Sequence, residues 1–223
     1  RRVTMTAADR VFSNFPLLLT AASFAALGVF AAWPNGWSAL LLVFVIYLAP
    51  PMVLRIVFRW APLKPGILTI SHRAFCPWLA SHHIQAFYDA LPYLESLLRV
   101  IPGFYSLWLR MWGSRIGHAV EWPVRMDVLD RNLVDIGNRV VFSREVELAA
   151  HVRQKTEGGG SLVLVRPIRI GSYAFIGACS RIGPGASVPA NASVPSLAVI
   201  HVNETFGESV RHPEKEEARF ALS

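Results

Sequence analysis

The chain has 223 residues, 53% of them hydrophobic and only 17% charged, with seven tryptophans and a formal net charge of +7. With a mean hydropathy of +0.38, this excludes a disordered chain, a disulfide-stapled miniprotein and a polar nucleic-acid binder. It points to a membrane protein with a modest soluble part, whose basic residues flank spans and meet anionic headgroups. Cys76 and Cys179 are distant and in unlike contexts, which argues against a disulfide framework or a zinc site.

No Asp, Glu, Lys or Arg occurs from Val11 to Leu54. Pro34-Asn35-Gly36 divides this run into Phe15–Trp33 and Trp37–Leu54. Each half approaches the roughly 20 apolar residues that a helix needs to cross a bilayer. Residues 1–59 therefore read as a transmembrane helical hairpin, with Trp33 and Trp37 beside its turn and Pro50-Pro51 kinking or ending the second helix. A cleaved signal peptide is the competing reading of the first half. The second apolar run that follows at once, and the lack of a small-residue cleavage site, argue against it. Arg1, Arg2 and Arg10 precede the hairpin, and Arg55, Arg59 and Lys64 follow it, whereas the turn is uncharged. The positive-inside rule then gives a multi-pass protein of the inner (cytoplasmic) membrane, with both termini and everything after Arg55 cytoplasmic.

Residues 60–113 read as a linker, Trp60-Ala61-Pro62-Leu63-Lys64-Pro65-Gly66, followed by short amphipathic helices interrupted at Pro92 and Pro102-Gly103. Those helices lie on the membrane surface or pack into a globular core. His82-His83 falls among them, and neighbours in a helix cannot share a face, so at most one of the pair enters any site. Interfacial anchoring is the use expected of them, and His72 with Arg73 could meet headgroups or a phosphorylated lipid.

From Ile170 the pattern changes. Ile170, Ile176, Ile182, Val188, Val194 and Ile200 recur every six residues, the first three followed by glycine. Ala174, Ser180, Ala186, Ala192 and Ala198 stand two places before the last five. Neither a helix nor a simple strand has this period; a hexapeptide β-helix does, its aliphatic residue pointing into a triangular prism. The same phase appears at Ile116, Trp122 and Val128, and at Ile136, Phe142 and Leu148. Two extra residues separate these sets, and a loop leaves the prism within 149–166, with Gly158-Gly159-Gly160 as its flexible part. About four coils result, over 114–205, and 206–223 form a C-terminal tail. Cys179 reads as packing, and His118 and His201 as structural or solvated.

These features resemble the hexapeptide-repeat acyltransferases. The resemblance is carried by the repeat and by the order Ala149-Ala150-His151, extruded loop, then Pro167-Ile168-Arg169-Ile170-Gly171, and is closest to the sugar O-acetyltransferase branch. It implies a left-handed parallel β-helix, all-β, behind the α-helical hairpin, with acetyl-CoA or another acyl-CoA as co-substrate. It also implies a homotrimer whose groove lies between subunits. By the same resemblance His151 is the general base, and Gly177, Ala178, Ser180, Arg181 and Ser196 line the cofactor groove; Arg211 and Lys215 could meet its phosphates, though their charged tail reads more simply as solvated. Family members often carry Asp or Pro where this chain has Val152, so the residue orienting His151 is sought at Glu145, Glu147 or a backbone carbonyl. Lead-ins like Trp112-Gly113-Ser114-Arg115-Ile116-Gly117 occur in membrane-attached members and in modules of nonribosomal-peptide-synthetase-like proteins.

The expectation is a membrane-anchored O-acetyltransferase acting on a sugar or lipid-linked acceptor by direct transfer, with no metal and no nucleic acid. Its alternatives are an acyl carrier protein as donor with a peptide or lipid acceptor, and a non-catalytic trimeric membrane scaffold. A γ-class carbonic anhydrase would need converging histidines at a His-x4-His spacing absent from this repeat.

Overall fold

The protein is described from a computed structural model covering residues 7–70, 75–155 and 161–207. Arg1, Arg2, His72, Arg73, the Gly158–Gly160 run, Arg211 and Lys215 lie outside the described residues.

From Arg115 onward, short strands stack into three parallel faces. One face holds β2 (Arg115–Ile116), β4 (Val134–Ile136), β9 (Ile168–Ile170) and β12 (Ser187–Val188). The second holds β5 (Val141–Phe142), β10 (Phe175–Ile176) and β13 (Ser193–Val194), extended by a bridge from Glu121 to Val141. The third holds β3 (Asp127–Val128), β6 (Glu147–Leu148), β11 (Arg181–Ile182) and β14 (Val199–Ile200). The pairing runs Val128–Leu148–Ile182–Ile200 on the third face, so the six-residue phase is the register of the sheets. Its aliphatic members are buried inside the coils; Trp122 alone is half-buried, stacking on Phe142 with centroids 5.0 Å apart. Successive coils touch closely at the corner after the first face: a Cβ at Gly137 would meet Ser172 Oγ at 2.6 Å and its Cα at 2.8 Å, which explains the Ile-Gly pairs.

The segment 149–166 is not a structureless loop. β7 (His151–Lys155) and β8 (Ser161–Val165) form an antiparallel hairpin projecting from the coil. Residues read as linker supply its third strand, because β1 (Gly66–Ile70) pairs with β8, giving the order β1-β8-β7. The chain leaving the apolar hairpin is thus tied directly to the segment that carries His151.

Ahead of the coils lie α1 (Ala7–Ser13), α2 (Phe15–Ala32) and a continuous helix from Gly36 to Trp60. α2 and Gly36–Trp60 are long and apolar enough to cross a membrane, with mean hydropathies of 2.0 and 2.3. The second is built of α3 (Gly36–Val43), a π-helical segment Phe44–Leu48 and α4 (Ala49–Trp60). Pro50-Pro51 neither ends the helix nor breaks it. A proline removes the N–H that would bond four residues back, here to the carbonyls of Ile46 and Tyr47. The π segment absorbs the misfit, with Ala49 N–H reaching Phe44 O. The two freed carbonyls are taken by α5 (Pro77–Ala90) and α7 (Phe104–Trp112): Tyr88 Oη donates to Ile46 O, and Trp108 Nε1 donates to Tyr47 O at 2.9 Å. Midway along α4, Arg55 donates to the carbonyls of Arg110 (2.7 Å) and Met111 (2.6 Å), capping α7.

α5 is a core helix, with Trp78, Leu79, Ala80, Ile84, Phe87 and Tyr88 buried. α6 (Tyr93–Val100) joins it through a buried polar cluster. Arg131 donates to Glu95, Asp89 and Gln85, while Glu95 also accepts from Arg99 (2.9 Å) and Tyr105 (2.6 Å). Burial disfavours the charge on Arg131, but the carboxylates of Glu95 and Asp89 outweigh that and raise its pKa. Burial also pushes the Tyr88 and Tyr105 phenols up, so both remain neutral donors.

Tyr88→Phe keeps the ring and deletes the donor, stranding the Ile46 carbonyl beside Pro50. A loss of about 1–3 kcal/mol is expected from an unsatisfied buried acceptor, read as a lower unfolding midpoint of the detergent-solubilised protein.

Candidate active site

Three faces imply three corners, and the corner between the third face and the first carries the candidate chemistry. In the first coil it is the stretch 129–133; in the second it is Ala149-Ala150, from which the β7–β8 hairpin departs. Because Val128 pairs with Leu148, the residues two places further on also stack. Asp130 therefore lies against Ala150 and His151. Its Oδ2 accepts from Ala150 N–H at 2.9 Å and lies 2.7 Å from His151 Nδ1, while Oδ1 accepts a long bond (3.4 Å) from Trp78 Nε1. Asp130 is 3% exposed.

This arrangement fixes the imidazole. Nδ1–H donates to Asp130, which holds the tautomer that leaves the lone pair on Nε2. Burial opposes the charged ring, but the hydrogen bond to Asp130, with the negative charges of Asp130 and Asp89, prevails, so the pKa of His151 is raised above 6.5. The residue orienting His151 is thus Asp130, and neither Glu145 nor Glu147: Glu147 pairs with Arg181 at 3.2 Å, and Glu145 sits at another corner beside Arg144.

α5 roofs the dyad. Trp78 lies 4.9 Å from the His151 ring, and His82 stacks on Trp78 at 5.2 Å, nearly parallel, and stands 6.0 Å from His151. Of the adjacent pair, His82 is the one that faces the site. Burial and the neighbouring His151 lower its pKa. The two imidazoles are thereby driven apart, one toward the charged form and one toward the neutral.

The residues expected to line a cofactor groove lie elsewhere on the prism. Gly177, Ala178 and Ser180 form the corner between β10 and β11, and Ser196 the same corner one coil later. That edge is not the one bearing His151, so a single chain does not bring the two groups together. Ser180 is fully buried, its hydroxyl donating to Pro195 O at 3.0 Å. Arg181 and Ser196 are exposed. Cys179 is exposed on this edge too, with Sγ 3.7 Å from Glu145 Oε2, so it is not a packing residue. Among the described residues, no group of three or more His, Cys, Asp or Glu could hold a metal ion.

No protein-family model and no curated protein matches the chain. Among solved structures it is similar to a hexapeptide-repeat-containing acetyltransferase of Vibrio cholerae, with 15% identity and a TM-score of 0.29 over 55% of this chain and 90% of that one. It is also similar to serine acetyltransferase isoform 3 of Entamoeba histolytica (14%, TM-score 0.22, 91% and 75%). A third such structure is the serine acetyltransferase of Neisseria gonorrhoeae (14%, TM-score 0.24, 90% and 95%). The functional reading below rests instead on the side chains of this chain.

Asp130→Asn removes the charge that favours imidazolium while burial persists. The titration of His151, followed by NMR, is expected to move to lower pH. The linkage has a definite sign. A folded pKa above the unfolded value stabilises fully below about 6.5 and loses that stabilisation as pH rises through the folded value. The stability gap between wild type and Asp130→Asn should therefore narrow as pH is raised.

Proposed function

We propose that the protein is a membrane-anchored acyltransferase that moves an acyl group from a thioester, acetyl-CoA or another acyl-CoA, to a hydroxyl of a sugar or lipid-linked acceptor. The observation that carries this is the buried Asp130 carboxylate holding His151 by Nδ1 where the hairpin leaves the coil. Acyl transfer needs a base poised near neutral pH, and an imidazole with one nitrogen held by a carboxylate supplies it. In the proposed reaction Nε2 takes the proton of the acceptor hydroxyl as its oxygen attacks the thioester carbonyl. The thiol leaves with a proton returned by the imidazolium. The roof of Trp78 and His82 limits water around the reacting atoms, which strengthens electrostatic interactions within the site. Two helices apolar enough to enter a membrane support confinement of enzyme and acceptor to one surface.

In this reading the thioester lies along the edge of Gly177 and Ala178 contributed by a neighbouring copy, and the working unit is a homotrimer. An acyl carrier protein as donor is the second reading; the net charge of +7 suits that acidic partner. Both keep His151 as base and the active domain on the cytoplasmic side of the inner membrane.

The test is thermal stabilisation of the detergent-purified protein by acetyl-CoA, with His151→Ala alongside. Ligand at 100 times its Kd stabilises a single site by about 2.7 kcal/mol, and both proteins should shift. Acyl transfer or slow thioester hydrolysis by His151→Ala should fall by about 10²–10⁴. Wild-type rates should drop as pH is lowered through a pKa above 6.5. Absence of any shift at saturation would reject acyl-CoA as donor.

A further inference from the structure

The stretch Leu91–Leu107, covering α6 and the start of α7, is turned inside out relative to a helical hairpin in water. Its exposed side chains are uncharged: Tyr93 is 82% exposed, Val100 66%, Leu97 61%, and Ile101, Phe104 and Leu107 are also open. Its two charged residues face inward. Glu95 and Arg99 have side chains 4% and 3% exposed and pair with each other at 2.9 Å. Water rewards the opposite arrangement, and an apolar face of this extent requires a partner.

The partner is identified by what this face adjoins. Tyr47 Oη donates to Leu94 O at 2.9 Å, and Trp108 Nε1 donates to Tyr47 O, so α6 and α7 both meet the long apolar helix at Tyr47. α7 runs beside it in the same sense, since Arg110 and Met111 meet Arg55 further along. The start of α7 and the Ile101-Pro102-Gly103 turn therefore lie nearer the hairpin tip than Trp108 does. Leu40, Leu41 and Phe44, one to two turns toward the hairpin tip from Tyr47, are exposed apolar side chains as well.

Depth follows from the same contacts. Tyr47 stands eleven residues from Gly36, about 16 Å along a helix, or half of a hydrocarbon core of about 30 Å. A hairpin that crossed the bilayer would place Tyr47 near the midplane and draw α6 in with it. α6 is bound to the first coil through Ser96 Oγ and Arg99 Nη1, both donating to Val124 O at 3.2 Å. Arg125 and Asp127, exposed beside Val124, would then enter hydrocarbon, at a cost of several kcal/mol each. The tip is suited to lipid, because several of its polar groups are satisfied within it. Asn35 Oδ1 accepts from Trp37 and Ser38 N–H, and Ser38 Oγ donates to Trp33 O at 2.7 Å.

We propose that α6 and α7 are embedded, apolar face outward, in the same membrane leaflet as the hairpin, and that the hairpin dips into this leaflet without crossing the bilayer. The proposal rests on the membrane anchoring of the proposed function and not on its acyl-transfer chemistry. It brings the acceptor site close to the surface. α5 spans about 15 Å from Tyr88, at the level of Ile46, to Trp78 over His151.

The experiment uses the full chain, with Cys179→Ser and Cys76→Ala, in phosphatidylcholine–phosphatidylglycerol vesicles. Single cysteines at Leu97, Phe104 and Trp37 carry an environment-sensitive fluorophore, and Arg125→Cys is the water-exposed reference. The Leu97 and Phe104 probes are expected to be quenched several-fold more than the reference by lipids spin-labelled on the upper acyl chain. The Trp37 probe should be quenched most by lipids labelled at the chain terminus. Unlabelled Trp37→Cys should resist a membrane-impermeant maleimide added from either side. Reaction of Trp37→Cys from the face opposite the soluble domain would overturn the single-leaflet placement. Leu97 and Phe104 probes quenched by aqueous iodide as strongly as the reference, or Leu97→Cys cross-linking between copies, would overturn the lipid face. Release of the unmodified protein from vesicles by an alkaline wash would instead sink the anchoring itself.

Discussion

The organising constraint is the insertion of two residues at the corner 129–133 of the first coil. A strict six-residue period would turn there tightly, and the longer corner instead buries two charged residues, each with partners of its own. Asp130 and Arg131 are both 3% exposed. Asp130 faces the next coil and holds Ala150 and His151. Arg131 faces the helices and gathers Glu95, Asp89 and Gln85. One corner thus sets the tautomer of the candidate base and fixes the helices that roof it. Removing one partner of a buried ion pair such as Arg131 and Glu95 leaves an uncompensated charge, costing about 3–5 kcal/mol. The position of the roof and the setting of the candidate base are therefore mechanically linked.

The same linkage extends to the apolar hairpin by an unusual route. Pro50-Pro51 deprives two carbonyls of their helical donors, and the soluble helices supply Tyr88 and Trp108 in their place. The proline pair and the docking are one feature. Without α5 and α7 the proline pair would leave polar atoms stranded in an apolar helix; without the prolines those donors would find no free acceptor. β1 adds a second tie, since residues just past α4 pair with the strand that returns from His151's hairpin. α5, fixed between hairpin and coil, is the rigid distance between them.

The coil was legible in the sequence because its period of six has no competing explanation, and every aliphatic position it marked sits in register. The place of His151 in the fold was legible for the same reason, because it stands where the phase breaks. Asp130 was not found, yet its signal was present: the gap of eight between Val128 and Ile136 marks an insertion at the corner that stacks under His151. Glu145 and Glu147 are nearer to His151 in sequence, but adjacency along the chain is not adjacency across coils. The hairpin within 149–166 and the strand at Gly66–Ile70 were hidden for a different reason. Each alternates too briefly to stand out alone, and only their mutual pairing makes them strands. The place of His82 beside His151 is not legible in the sequence, because a helix face is assigned to a site only once the helix is docked.

One separation in the fold constrains any mechanism built on it. His151 stands on the edge between the third and first faces, and Gly177 on the edge between the second and third. Within one chain an entire face of the prism lies between them. A thioester laid along Gly177 cannot meet the imidazole of the same copy, so a reaction that uses both must join the edge of one copy to the edge of another. The groove and the oligomer are then a single hypothesis. The shared proton at His151 and Asp130 is different in kind, because both of its partners come from one chain. The candidate base is positioned by folding alone, whereas the proposed donor site would wait on association.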